Sequence, residues 1–243
     1  MRVYSTSFFH FTKDFIAIKG IIKDGFNITF CREEVCSRSK KVMHIGIPMA
    51  SFCDVTLNFI TSNNYGNIGI GMSRPWGIDH LLQPVMYYPN NKECQSTQMI
   101  IQAVDEFINN KDAPDSYRIL GYAKPIKKFK PERNQNDDNY IEREWRKVYK
   151  SYGPQQWKTD KEYKKYRGAK KTPKPKVGSP LRFSVNDIDC IILPQKYISE
   201  FIDYIFSEEL NMIGGKYNVD ISLRDRQLLL SKIIQYESLE LNL

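Results

Sequence analysis

Residues 49–88, MASFCDVTLNFITSNNYGNIGIGMSRPWGIDHLLQPVMYY, constrain the fold more tightly than any other stretch. Gly66, Gly69 and Gly71 fall within six positions of one another, and residues 67–73 otherwise read as a strand. Glycine weakens a strand and is placed there where another backbone or a ligand must come close. The run is therefore expected to lie against either a neighbouring strand or a bound molecule. Asn63-Asn64-Tyr65-Gly66 signals a turn before it, and Arg74-Pro75-Trp76-Gly77 breaks it. Residues 84–88 read as a second strand that starts at its proline, where the missing N–H is tolerated.

Around this stretch the chain alternates between strand-like and helical patterns. Residues 7–11, 26–31 and 189–193 read as strands, and residues 117–123 are strand-like. Apolar residues at helical spacing predict helices over 13–23, 96–109 and 194–210, with a shorter one at 221–230. Asp54 is expected to cap a helical turn, and the polar residues 32–41 are expected to form a loop. With 243 residues the chain can bury a sizeable core. No apolar run approaches the ~18 residues of a membrane span, and the start lacks the pattern of a signal peptide. The expectation is a cytoplasmic protein with no membrane association.

The five cysteines are odd in number and scattered, which fits reduced thiols better than a disulfide framework. Cys31 and Cys36, with His44 downstream, have the look of half a zinc site, but no second close pair completes four ligands. No metal is expected.

Three groups of residues could carry chemistry. His10 and Thr12 fall on one face of the first strand. If residues 142–146 are extended, Glu142, Glu144 and Arg146 also share a face; if helical, Glu142 and Arg146 form an i,i+4 pair. Two carboxylates and a guanidinium must be paired or hydrated wherever they lie. The third group is a basic arm at 158–176, where nine Lys and Arg face two acidic residues. The net charge of the arm is +7, nearly all of the +8 of the chain. Lys158, Lys161, Lys164, Lys165, Arg167, Lys170 and Lys171 interleave there with Trp157, Tyr163 and Tyr166. That mixture suits a nucleic-acid backbone with stacked bases, an acidic protein partner, or a solvated loop.

The ordered blocks FHFT, SFCD, YGxxGIGxS, a tryptophan, P-V-x-Y and ERExR resemble the AbiGi family of abortive-infection, phage-resistance proteins. That resemblance implies a part in phage defence, where family members are called antitoxins of a two-component pair. More distantly, the early H-x-T, the central tyrosine and the late E-x-E look like the ADP-ribosyltransferase fold of DarT-type toxins. This second likeness implies a single α+β domain over residues 1–243. It would have mixed and antiparallel central sheets and flanking helices; residues 151–180, rich in Lys, Pro and Gly and without a sustained apolar period, read from their composition as a basic flexible insertion. It also implies NAD as substrate, held by His10, Thr12, Tyr65, Gly66 and Ser73. Glu144 would be the catalytic carboxylate and Glu142 its helper, with ADP-ribose passed to a nucleic-acid or protein acceptor. The alternative is a non-catalytic antitoxin that binds its partner toxin or nucleic acid through the basic arm.

Overall fold

The computed structural model describes residues 5–38, 42–60, 66–109, 118–128, 138–149, 157–167, 176–215 and 221–240. In chain order the first elements are β1 (Ser7–Thr12), α1 (Phe15–Asp24), β2 (Thr29–Cys36), β3 (Val42–Cys53) and β4 (Ile68–Ser73). Next come α2 (Arg74–Asp79), β5 (Gln83–Pro84), β6 (Met86–Tyr88), α3 (Gln95–Asn109), β7 (Ala123–Pro125) and β8 (Glu144–Val148). The last are β9 (Lys158–Thr159), α4 (Asp160–Arg167), β10 (Ile188–Leu193), α5 (Gln195–Phe206), α6 (Leu223–Ser231), β11 (Ile233–Gln235) and α7 (Tyr236–Glu240). The fold class is α+β, as expected. The elements gather into two compact units. One comprises Met1–Asn27, Ser51–Leu82 and Ser179–Leu243, and the other Ile28–Ala50 and Gln83–Gly178.

In the first unit β4 pairs antiparallel with β1 and with β10, and β10 runs parallel to β11. The register sets Phe9 opposite Gly71 and Phe11 opposite Gly69. A Cβ at Gly69 would lie 2.8 Å from the Phe11 ring, and one at Gly71 would lie 2.9 Å from the Phe9 ring. Those two glycines thus make room for aromatic side chains of the adjacent strand. The intervening Ile68, Ile70 and Met72 alternate to the other face and are buried. Between the two possibilities left open by the sequence, the close approach at Gly69 and Gly71 is to a strand.

The C-terminus of α1 shows how the first unit closes. A helix leaves its last carbonyls without internal partners. Here Gly25, Gly214 and Gly215 donate their N–H groups to the carbonyls of Ile21, Ile22 and Lys23. Gly214 and Gly215 hold φ at +62° and +72° to do so. Asp54, expected to cap a turn, instead receives Arg74 Nη2 at 2.5 Å and the Ser5 N–H at 3.2 Å. The Arg74 guanidinium also lies 4.6 Å from the centre of the Phe8 ring.

In the second unit β3 pairs antiparallel with β2 over eight residue pairs, and β8 lies between β3 and β5. The buried face of α3, with Ile100, Val104 and Phe107, packs on Val35, Ile45 and Ile47 of β2 and β3. The expected loop at 32–41 is corrected as far as Cys36. Arg32, Glu33 and Glu34 are polar yet belong to β2, because the strand pairing and the burial of Val35 and Cys36 override composition. Residues Arg118–Tyr122 form a 3-10 turn instead of the start of a strand.

The expected flexible insertion at 151–180 also contains regular structure, since residues 157–167 carry β9 and α4. Trp157 is buried against the α3 core, and Tyr163 packs so closely on Gly46 that a Cβ there would lie 2.8 Å from its ring. Two aromatic anchors hold what the lysines alone would leave hydrated.

Gly214→Ala should destabilise the first unit. Its Cβ would meet the Phe183 carbonyl oxygen at 2.1 Å, and the left-handed φ alone costs about 1–2 kcal/mol. A fall in the urea unfolding midpoint checks this, with the helical control Gly20→Ala expected to show none, because a Cβ at Gly20 meets nothing within 4 Å.

Candidate functional site

Arg146 is the most informative side chain of the second unit, because its guanidinium is wholly buried. A buried charge is tolerable only when it is paired and hydrogen-bonded. Strand β8 supplies the first partner, since Glu144 and Arg146 are two residues apart and point to the same face. Arg146 Nε donates to Glu144 Oε1 at 2.7 Å, and Nη2 donates to Glu144 Oε2 at 2.8 Å. Such a bidentate fork is the strongest geometry open to this pair. Nη2 also donates to Glu33 Oε2 of β2 at 2.7 Å, and Nη1 to the Gly121 carbonyl at 3.1 Å.

A second cation completes the network. Lys124 Nζ of β7 donates to Glu144 Oε2 at 3.0 Å and to Glu142 Oε2 at 2.5 Å. Glu142 is not part of the strand, as an extended reading of residues 142–146 required. It ends a 3-10 turn, Tyr140–Glu142, and Arg143 turns the chain with φ +43°. The turn brings Glu142 to the same cation by a different route. The backbone of Glu144 is fastened as well: its N–H donates to Tyr87 Oη at 2.8 Å, and its carbonyl accepts from the Val85 N–H.

Three carboxylates share two cations, so one negative charge is in excess. Burial, with the neighbouring Glu144 and Glu33 charges, raises the Glu142 pKa from 4.5 to about 8, against the pull of Arg146. Lys124 is shared between Glu142 and Glu144. A proton taken up by Glu142 brings the cluster to neutrality. Burial works against the charged form of Arg146, but Glu144 and Glu33 outweigh it and hold the guanidinium protonated.

The residues expected to hold NAD belong to the first unit. His10 Nδ1 donates to the Ser51 carbonyl at 2.9 Å, and its ring rests against Phe26 and Phe52. Thr12 Oγ1 accepts from the Asp14 N–H, and Ser73 Oγ caps α2 by accepting from the Trp76 N–H. Gly66, with φ +126°, lies where a Cβ would be 2.4 Å from the Thr12 carbonyl oxygen. Tyr65 lies outside the described residues. Four of the five thus have local structural tasks, and Glu142 and Glu144 belong to the other unit.

The basic arm is partly described. Lys158 Nζ sits 4.5 Å from the centre of the Phe30 ring. Asp160 binds Arg32 and Lys164, which together hold its carboxyl below the usual range despite some desolvation. Glu162 accepts from the Thr159 N–H and hydroxyl. Lys161, Lys164 and Lys165 are exposed on α4, and Arg167 ends that helix. Lys170 and Lys171 lie outside the described residues.

No disulfide joins the five cysteines. His44 accepts from Arg32 Nη2, and its pKa is lowered by burial and by that guanidinium. Among the described residues no helix is long and apolar enough to cross a membrane.

Reasoning from sequence missed Glu33, Lys124 and Gly121. A signal existed for Glu33, which in a strand shares a face with the buried Val35, but its partner is 113 positions away.

Glu142 gives a pH prediction. In the unfolded chain it ionises near 4.5, and in the folded protein near 8. Between these values folding takes up a proton, so this group makes stability fall as pH rises, by up to about 1.4 kcal/mol per pH unit. Urea unfolding of Glu142→Gln should therefore show a flatter pH dependence than wild type between about pH 5 and pH 8.

A family model described as "Putative abortive phage resistance protein AbiGi, antitoxin" matches residues 25–194. The match takes in the SFCD, YGxxGIGxS and ERExR blocks and leaves out His10 and Thr12. No curated protein and no solved structure matches the chain.

Proposed function

The chain belongs to the AbiGi family, and from that premise we propose that it is the antitoxin of an abortive-infection pair, acting by binding its toxin and not by transferring ADP-ribose. The observation that carries this reading is the occupation of Glu144. A glutamate that stabilises an oxocarbenium-like ribose must present an oxygen to the reacting atoms. Both oxygens of Glu144 are instead engaged by Arg146, and one also by Lys124. Its role in this reading is to neutralise a buried guanidinium.

The partner-binding surface in this reading is the outer side of α4. The two acidic residues there are engaged locally, Asp160 with Arg32 and Lys164, and Glu162 with Thr159. Lys161 and Lys165 remain exposed to meet an acidic patch on the toxin. Rim charges of this kind act chiefly on encounter rate and partner choice.

Purified protein incubated with NAD should release no nicotinamide. Glu144→Gln should lower the unfolding midpoint, since breaking a buried ion pair costs about 3–5 kcal/mol. Nicotinamide release that Glu144→Gln abolishes in a folded sample would overturn the proposal in favour of the NAD-consuming enzyme. In cells, expression of the chain should restore growth arrested by the toxin of the pair. The double variant Lys161→Glu, Lys165→Glu should weaken that rescue, most visibly as slower association of the two purified proteins at low salt.

A further inference from the structure

We propose that a cavity beside the first turns of α3 binds a phosphate-bearing organic anion of nucleotide size, anchored by Lys92. The cavity lies within the second unit and has a volume of about 510 Å³. That is within the range of small-molecule sites, about 300–1,000 Å³.

Lys92 forms part of its wall. The Nζ of this lysine is shielded from solvent and is, among the described residues, the buried side-chain nitrogen or oxygen that lacks a hydrogen-bond partner. A buried ammonium without a partner is costly, and native structures hold such groups for an ion, a ligand or a water. Lys92 lines the cavity, and its flexible four-carbon stem lets the amine reorient towards an anion bound there.

The rest of the lining fits the same ligand. Arg38 reaches the cavity with its guanidinium steadied by Asp105 at 3.4 Å, and a guanidinium fork matches phosphate geometry. The first turn of α3 carries no acidic side chain, and the positive end of the helix dipole favours an anion there. Gln95, Gln98 and Gln102 line the cavity at helical spacing. Each amide offers two donors and an acceptor, a set suited to a heterocyclic edge more than to bare phosphate. Gln102 already donates to Glu106, which leaves Gln95 and Gln98 as the better-placed readers. Met99 adds an exposed apolar surface for a flat ring.

The site is distinct from the Arg146 network and does not depend on the toxin-binding reading. Isothermal titration with ATP and with inorganic pyrophosphate, in metal-free buffer, tests it on wild type, Lys92→Met and Gln98→Ala. Saturable ATP binding is expected, weakened about tenfold or more by Lys92→Met and several-fold by Gln98→Ala. Pyrophosphate should bind more weakly than ATP and be indifferent to Gln98→Ala. The proposal is overturned if folded wild-type protein binds neither probe saturably, or if Lys92→Met leaves ATP affinity unchanged. Pyrophosphate binding as tight as ATP would overturn the organic half of it.

Discussion

A guanidinium with no access to water has to be neutralised where it stands, and the second unit is arranged to do this for Arg146. Its partners come from its own strand, from β2, and from the turn before β7. Lys124 then offsets part of the excess negative charge, and the raised pKa of Glu142 removes the remainder. Each member is held by at least one other, so no single element can shift without leaving a charge unmatched. In a medium of low polarity that condition discriminates sharply between arrangements.

The first unit meets a different constraint with different means. Phe9 and Phe11 point at β4, and only glycine leaves room for their rings. On the neighbouring strand Cys190 Sγ would lie 2.9 Å from a Cβ at Gly71, so the space is closed from both sides. Packing there is steric and apolar, whereas in the second unit it is electrostatic around Arg146.

These two solutions bear directly on chemistry. Glu144, the carboxylate that a ribosyl transfer would need, pairs with Arg146 and Lys124, and His10 donates to a backbone carbonyl within an aromatic cluster. Family membership in a group described as antitoxins points the same way. On α4 charge is kept in water: Tyr163 is buried, and Lys161, Lys164 and Lys165 are exposed. A cation held in reserve without a partner occurs elsewhere, at Lys92 beside α3.

The sequence by itself determined the helices α3 and α5, the strands β1, β4 and β10 and the family, and the α+β class came with a resemblance. The elements rest on local periodicity and the family on short blocks in a set order, which need no knowledge of distant residues. It offered the pairing of Glu144 with Arg146 as one of two alternatives, the one that follows if the chain is extended and every second residue falls on one face. Only the tertiary structure decided that β2 continues through Glu33 and Glu34, that Trp157 and Tyr163 fasten part of a lysine-rich arm, and that Glu33 and Lys124 join the buried network. It also decided which neighbour Gly69 and Gly71 accommodate. Those outcomes depend on what lies opposite across many tens of residues. Burial and charge compensation act through space, and a pattern read along the chain carries neither.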